Sequence, residues 1–217
     1  MALVLLPSSA RPAAEQGALV AKVVQRHGVA LRDRPNGRIL AVVGDRTEFG
    51  SPRTFAVFAR RGVNWFGVAA PELANGQLGW IGARSSSVHL IRVSIRIDVD
   101  LSRRQLTVHD HGRVLRRIRV AIGRPESPTP VGRFAVTDKL PGARFSSAYG
   151  CCILALSGHQ TKLPVGWSGG DRLAIHATND PQDIGERVSA GCVRGLDIDL
   201  RYLMHVVPLG TAVVIWP

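Results

Sequence analysis

Three features of this 217-residue chain predict a mainly β protein built in two units. Short apolar runs recur between glycine, asparagine and proline turns, which is the signature of strands rather than of long helices. Only "DIDLRYLMHVV" near the C-terminus has the spacing of a helix. A polar, small-residue stretch, "ARSSSVHL", divides the strand-rich regions. The expected layout is an unstructured leader over 1–19, a small β-barrel over 20–83, a linker over 84–91 and a larger β domain with one or two helices over 92–217.

The elements follow in order. "GVALRDRPNGRILAVV" holds two apolar stretches about an Asn-Gly turn. "TFAVFARRGVNWFGVAA" and "GQLGWIG" add short strands. Trp65, Phe66 and Trp80 are expected to form the core of this small unit rather than a binding surface. Beyond the linker, "VSIRIDVDL" alternates apolar and polar residues, as a half-buried strand does. "QLTVHDHGRVLRRIRVAIG" reads as a hairpin turning at "DHG", and "SPTPVGRFAVTDK" as a proline-rich turn entering a strand. "DRLAIHAT" is a strand ending at His176, the helix is expected to be capped by Asp197, and "GTAVVIWP" is the closing strand.

Composition bounds the function. A hydrophobic share of 45% with 20% charged residues is globular, and no run approaches the roughly 20 apolar residues of a membrane helix. The formal charge of +12 comes mainly from arginine, since only Lys22, Lys139 and Lys162 are lysines. Such charge suits an anionic partner, but the basic residues form no run and are not interleaved with aromatics, which argues against nucleic acid. Three cysteines without a CxxC spacing make neither a disulfide framework nor a zinc site. Cys151 and Cys152, in the apolar "YGCCILALSG", read as small core residues. The N-terminal "MALVLLPSSARPAAEQ" reads as either a trimmed export signal or a plain leader.

The chemistry concentrates in "IHATNDPQDIGERVSAGCVR", residues 175–194. A cysteine attacks carbonyls as its thiolate, and a neighbouring imidazole favours that form. His176 ends a strand, and the loop after it returns with Cys192. Gly191 lets a second chain approach closely, and backbone N–H groups near Gly191 and Cys192 are placed to meet an oxyanion. On spacing alone, a packed core cysteine remains open.

The same stretch resembles the signature of the L,D-transpeptidases, cysteine acyltransferases that crosslink bacterial peptidoglycan. "IRIDVDLSRRQLTVHDHGRVLRRIRVAIGRPESPTPVGRFAVTDK" and "GTAVVIWP" are similar to that family's opening hairpin, proline turn and closing strand, so the resemblance covers about residues 92–217. More loosely, "NWFGV" and "GWI" resemble bacterial SH3-like domains. The fold class implied is mainly β, a small SH3-like β-barrel followed by an L,D-transpeptidase-type β-sandwich.

The resemblance implies that Cys192 is the nucleophile and His176 its base. It implies that Ser189, Gly191 and Arg194 shape the oxyanion and substrate pocket, and that the Ala177 carbonyl orients the imidazole. Thr178 and Asn179 match a structural turn. Tyr149 and Trp167 fall in a region that borders the donor groove. The family's second histidine, just before the Gly-Cys pair, is Ala190 here, and His159 is a candidate to stand in for it. His27, His89, His109, His111 and His205 read as surface or turn residues. The implied partners are peptidoglycan stem peptides, as donor and acceptor, and the positive charge adds anionic wall polymers as a candidate partner. No metal or organic cofactor is implied, and the compartment is outside the cytoplasm. An L,D-carboxypeptidase using the same residues and a non-catalytic wall-binding protein are the alternatives.

Overall fold

The computed structural model describes residues 17–24, 28–82 and 87–217. His27 and the leader through residue 16 lie outside the described residues. The N-terminal unit comprises β1 (Ala18–Val23), β2 (Val29–Arg32), β3 (Ile39–Val43), β4 (Thr54–Arg61), β5 (Trp65–Val68), β6 (Gly79–Gly82) and β7 (Val88–Val93). They form one antiparallel sheet in the order β3-β2-β6-β5-β4-β1-β7. Its core gathers Leu31, Phe55, Phe66, Val68 and Ile81. Phe66 is in that core, while Trp65 and Trp80 are half-buried. The Asn-Gly turn between β2 and β3 carries Asn36 at φ 57, a conformation that asparagine tolerates better than most residues.

Two expected boundaries move. Ala18 and Leu19 belong to β1 rather than to a leader. Of the expected linker 84–91, residues 84–86 lie outside the described residues, but Val88–Val93 is a strand paired with β1 along six residues. Only Val88 and Val93 of this edge strand are buried. It therefore lacks the apolar alternation that reveals a half-buried strand. The junction between the units is the single residue Ser94, between β7 and the next strand.

The second unit comprises β8 (Ile95–Asp100), β9 (Gln105–Asp110), β10 (Arg113–Arg119), β11 (Ile122–Gly123), β12 (Gly132–Pro141), β13 (Cys152–His159), β14 (Arg172–Ala177), β15 (Arg187–Ser189), β16 (Val193–Gly195), α1 (Asp197–Val206) and β17 (Ala212–Trp216). Eight strands form a sheet in the order β10-β9-β8-β17-β12-β13-β14-β16, and β11 pairs with β15 apart from it. The closing strand β17 runs parallel to β8, and β16 runs parallel to β14. The β9–β10 hairpin turns at His111 and Gly112, both at positive φ, as a tight two-residue hairpin loop demands.

β13 is buried along nearly its whole length. A central strand covered on both faces reads as a continuous apolar run, here "CILAL". Its side chains join those of β8, β9, β12, β14 and α1 in one core that includes Leu106, Phe134, Leu154, Leu173 and Leu203. α1 begins at Asp197 with Leu196 before it and no side-chain cap. Asp197 is thus inside the first turn, where its carboxylate complements the helix dipole and accepts the Cys151 N–H at 2.9 Å. Cys151 and Cys152 are joined to each other in a disulfide rather than packed as thiols. Gly150 turns the chain at φ 53 just before β13, so Cys151 precedes the strand and escapes its alternation.

The two units are docked. Thr47 Oγ donates to the fully buried Asp138 at 2.5 Å. Asn75 exchanges two hydrogen bonds with the backbone of His159, at 2.7 and 2.8 Å. Ala56 packs against Ala135 and Ala212 in a small apolar cluster between the units.

Candidate active site

Strand register assembles the site. In the parallel β14–β16 ladder, Ile175 faces Val193 and His176 faces Arg194. Cys192, one residue before β16, therefore falls beside Ala174. Side chains two apart on a strand share a face, and paired residues on neighbouring strands do too. His176, Arg194, Ala174 and Cys192 thus project to one side of the sheet. Antiparallel β13 adds Ile153 opposite His176. Tyr149 lies over the imidazole edge-on, with ring centroids 4.7 Å apart.

Tyr149, His176, Cys192 and Arg194 wall a cleft of ≈ 580 Å³, shared with Ser189, Ala190, Gln160 and Trp167. Trp167 Nε1 donates to the Gly170 carbonyl at 2.6 Å, which closes the 167–170 turn in the cleft lining. Thr178 and Asp180 shape the turn after the histidine. The Asp180 N–H donates to Thr178 Oγ at 3.1 Å, and Asp180 Oδ1 accepts the Gln182 N–H. Asn179 is exposed in that turn.

His176 is 4% exposed. Its Nδ1 lies 2.5 Å from the Ala177 carbonyl oxygen. A carbonyl only accepts, so Nδ1 carries the hydrogen and Nε2 is left with its lone pair. Burial, aided by the positive Arg194, lowers the His176 pKa to about 4, against the opposing pull of the Ala177 bond and Asp183. Burial raises the Cys192 thiol, while an Ala174 backbone contact and Arg194 oppose the rise. Tyr149 is also raised by burial and by the nearby sulfur. At neutral pH the resting trio is a neutral imidazole, a thiol and a phenol. Desolvation disfavours the charged form of both partners, which suits a base that takes the thiol proton during attack.

The loop carrying Cys192 is fixed by groups within it. Ser189, fully buried, accepts the Gly191 N–H at 3.0 Å and donates to the Cys192 carbonyl at 2.6 Å. The Gly191 N–H is thereby committed to Ser189, which removes it from the expected set of oxyanion donors. Gly191 has φ +123, and a Cβ there would run into the Gln160 amide. Arg194 Nη1 is held by Asp183 at 2.5 Å, and its buried Nε has no hydrogen-bond partner among the described residues.

Gln160 was not among the expected site residues. Its Nε2 donates to the Ala190 carbonyl at 3.0 Å and to the Pro128 carbonyl at 3.0 Å, bridging the cysteine loop to the proline turn. A polar residue 32 positions from the nucleophile gives no local sequence signal; burial at 6% exposure is what marks it.

His159 does not approach the cleft. Its Nε2 is 2.7 Å from the Pro71 carbonyl and its Nδ1 is 3.0 Å from Asp171, at the junction of the two units. It ends β13 facing the N-terminal unit, so it leaves the position of Ala190 unfilled. His109 is likewise not a surface residue; it is half-buried and pairs with Asp98 at 2.9 Å. His89 and His205 are exposed. Among the described residues, no cluster of three or more His, Cys, Asp or Glu side chains is arranged to hold a metal ion.

Residues 94–215 match the family model described as YkuD, L,D-transpeptidase catalytic domain. A protein of Bacillus licheniformis provisionally named L,D-transpeptidase YkuD is 32% identical over 153 residues, covering 69% of this chain and 83% of that protein. Its similarly named counterpart in Bacillus subtilis is 32% identical over 125 residues, or 57% of this chain and 66% of the relative. Among solved structures, L,D-transpeptidase 3 from Mycobacterium tuberculosis aligns with a TM-score of 0.48 at 16% identity, covering 90% of this chain and 95% of that chain.

Proposed function

The chain belongs to the L,D-transpeptidase family, a class of acyltransferases, and from that premise we propose that it joins peptidoglycan stem peptides through a thioester on Cys192. The observation that carries the reading is the β14–β16 register, which supports a thiol and an imidazole with a free Nε2 on one face of one cleft.

The donor is a stem tetrapeptide. The Cys192 thiol attacks the carbonyl of its third residue as His176 Nε2 takes the thiol proton. The low basicity of His176 and the raised thiol make this a concerted general-base step rather than attack by a stored thiolate. The Cys192 N–H and the protonated Tyr149 hydroxyl stabilise the oxyanion, since the Gly191 N–H already serves Ser189. The tetrahedral species collapses as His176 returns its proton to the terminal D-alanine, which leaves. The acyl group then passes to an amine on a neighbouring stem.

The substrate places the protein outside the cytoplasm. Among the described residues no helix is long and apolar enough to cross a membrane. The surplus of positive charge favours retention among anionic wall polymers. The N-terminal sheet is an SH3-like wall-associated module in this reading, and residues 95–216 are the catalytic domain.

Incubating the full chain with purified stem tetrapeptides and resolving the products by mass tests the reading. Crosslinked dimers with loss of D-alanine are expected, and Cys192→Ala should form none. Tripeptides alone would make the enzyme a carboxypeptidase. Binding to sacculi with neither product would make the protein a wall-binding module.

A further inference from the structure

Cys192 lines two adjoining cavities. The cleft described above holds His176, Arg194 and Trp167. A second cavity of ≈ 320 Å³ adjoins the first at the same thiol, sharing Phe145, Tyr149 and Arg172 with it, and extends over Leu140, Ile153 and Ala174. Part of its lining comes from outside the catalytic unit. Glu48 and Phe49, on the turn between β3 and β4, reach across from the N-terminal sheet.

That turn is fixed in place. Thr47 is buried and donates to Asp138, while its hydroxyl also accepts the Ser51 N–H at 3.0 Å. Phe49 meets Phe145 edge-on at 5.8 Å between centroids and lies 5.7 Å from the Arg172 guanidinium. Glu48 pairs with Arg172 Nη1. The remaining Arg172 donors bind the Leu156 carbonyl and the Thr137 hydroxyl, so the guanidinium is anchored without Glu48.

The two openings differ in charge. Arg194 stands in the first and not in the second, whereas Glu48 stands in the second and not in the first; Asp171 and Arg172 rim both. Glu48 is 55% exposed, which leaves its carboxylate free to exchange Arg172 for an incoming cation. In a chain of net charge +12, a mouth where Glu48 and Asp171 face the single cation Arg172 runs against the overall field.

The geometry points to the N-terminal unit as part of the acyl-acceptor site. Phe49 forms an apolar wall for the aliphatic stem of the acceptor, and Glu48 draws in its ammonium group. The inference rests on the proposed role of Cys192. In the step it serves, the ammonium first gives up a proton to water at the mouth. The free amine nitrogen then attacks the thioester carbonyl carbon. The C–N bond forms, the C–S bond breaks, and the second amine proton passes through His176 to the leaving sulfur, restoring the thiol.

The test uses the full chain, a stem tetrapeptide donor and two nucleophiles. One is a stem acceptor bearing a side-chain amine. The other is hydroxylamine, small and uncharged at neutral pH, which has no use for the wall. For Glu48→Gln and Phe49→Leu, thioester formation and release by hydroxylamine should stay close to the parent rates. The acceptor KM should rise roughly tenfold, and the ratio of dimer to tripeptide should fall in proportion. An unchanged acceptor KM and product ratio in both variants would overturn the inference. So would an equal loss of thioester formation, which is what a merely structural wall produces. A parent enzyme that forms no thioester at all would instead fault Cys192 itself and take both readings down together.

Discussion

His176 and Cys192 stand on the same face of two parallel strands, offset by two residues, because Ile175 pairs with Val193 in the β14–β16 ladder. The offset places the nucleophile beside Ala174 and lays the imidazole diagonally across from it. Neither side chain is charged at rest: burial holds the histidine pKa at about 4 and pushes the thiol up.

The first prediction concerns acid. Acylation of Cys192 should hold steady from pH 7 down to about 5 and fall only as His176 protonates near 4. An unperturbed histidine would produce the fall near 6.5. Stability follows with its own sign. Between about 4 and 6.5 the unfolded chain binds a proton at His176 that the folded chain does not, so stability declines as pH falls through that window. The decline is on the order of 3 kcal/mol. A pH series of acylation rates, with urea midpoints at pH 7 and 4.5, checks both.

Ser189 should matter more to the cysteine loop than to substrate affinity. Ser189→Ala leaves the buried Gly191 N–H without an acceptor and the Cys192 carbonyl without a donor. An orphaned buried group costs about 1–3 kcal/mol. We expect the acylation rate constant to drop roughly ten- to hundredfold with donor KM little changed. Single-turnover kinetics separates the two.

Gln160 and Gly191 should be coupled. Gly191→Ala is expected to damage the loop twice, through its φ of +123 and through collision with the Gln160 amide. Gln160→Ala alone releases the Ala190 carbonyl and should slow acylation. Adding Gln160→Ala to Gly191→Ala removes the collision but not the backbone cost. The double variant should therefore be better than the sum of the two losses. A double-mutant cycle on acylation rates measures the coupling.

The docking of the units should be readable in the same way. Thr47→Val deprives fully buried Asp138 of its donor, and Asp138 Oδ2 already has no partner among the described residues. A destabilisation of about 2–3 kcal/mol is expected, and much less when Asp138→Leu is added, since the apolar pair orphans no polar group. Thermal denaturation of the four proteins gives the cycle.

What the sequence revealed follows from how local each signal is. The hairpin turn at His111-Gly112, the strand ending in the histidine and the strand of "GTAVVIWP" each carry their cause within a few residues. The placing of His176 and Cys192 in one cleft was expected from the resemblance of a 20-residue stretch, since spacing alone left a packed cysteine open. β7 was hidden because an edge strand with two buried residues shows no alternation. Gln160, Glu48 and Phe49 reach the cysteine only through tertiary folding, from 32, 144 and 143 positions away. His159 misled for the same reason: its neighbours are Asn75 and Pro71, which adjacency in the chain cannot show.

The most direct test is the intact mass of the full chain after incubation with a carbapenem, a strained acyl donor, beside a Cys192→Ala control. A single adduct, absent from the control, is the predicted result and makes Cys192 an activated nucleophile with alanine at position 190. A folded protein that takes up no adduct would contradict the account.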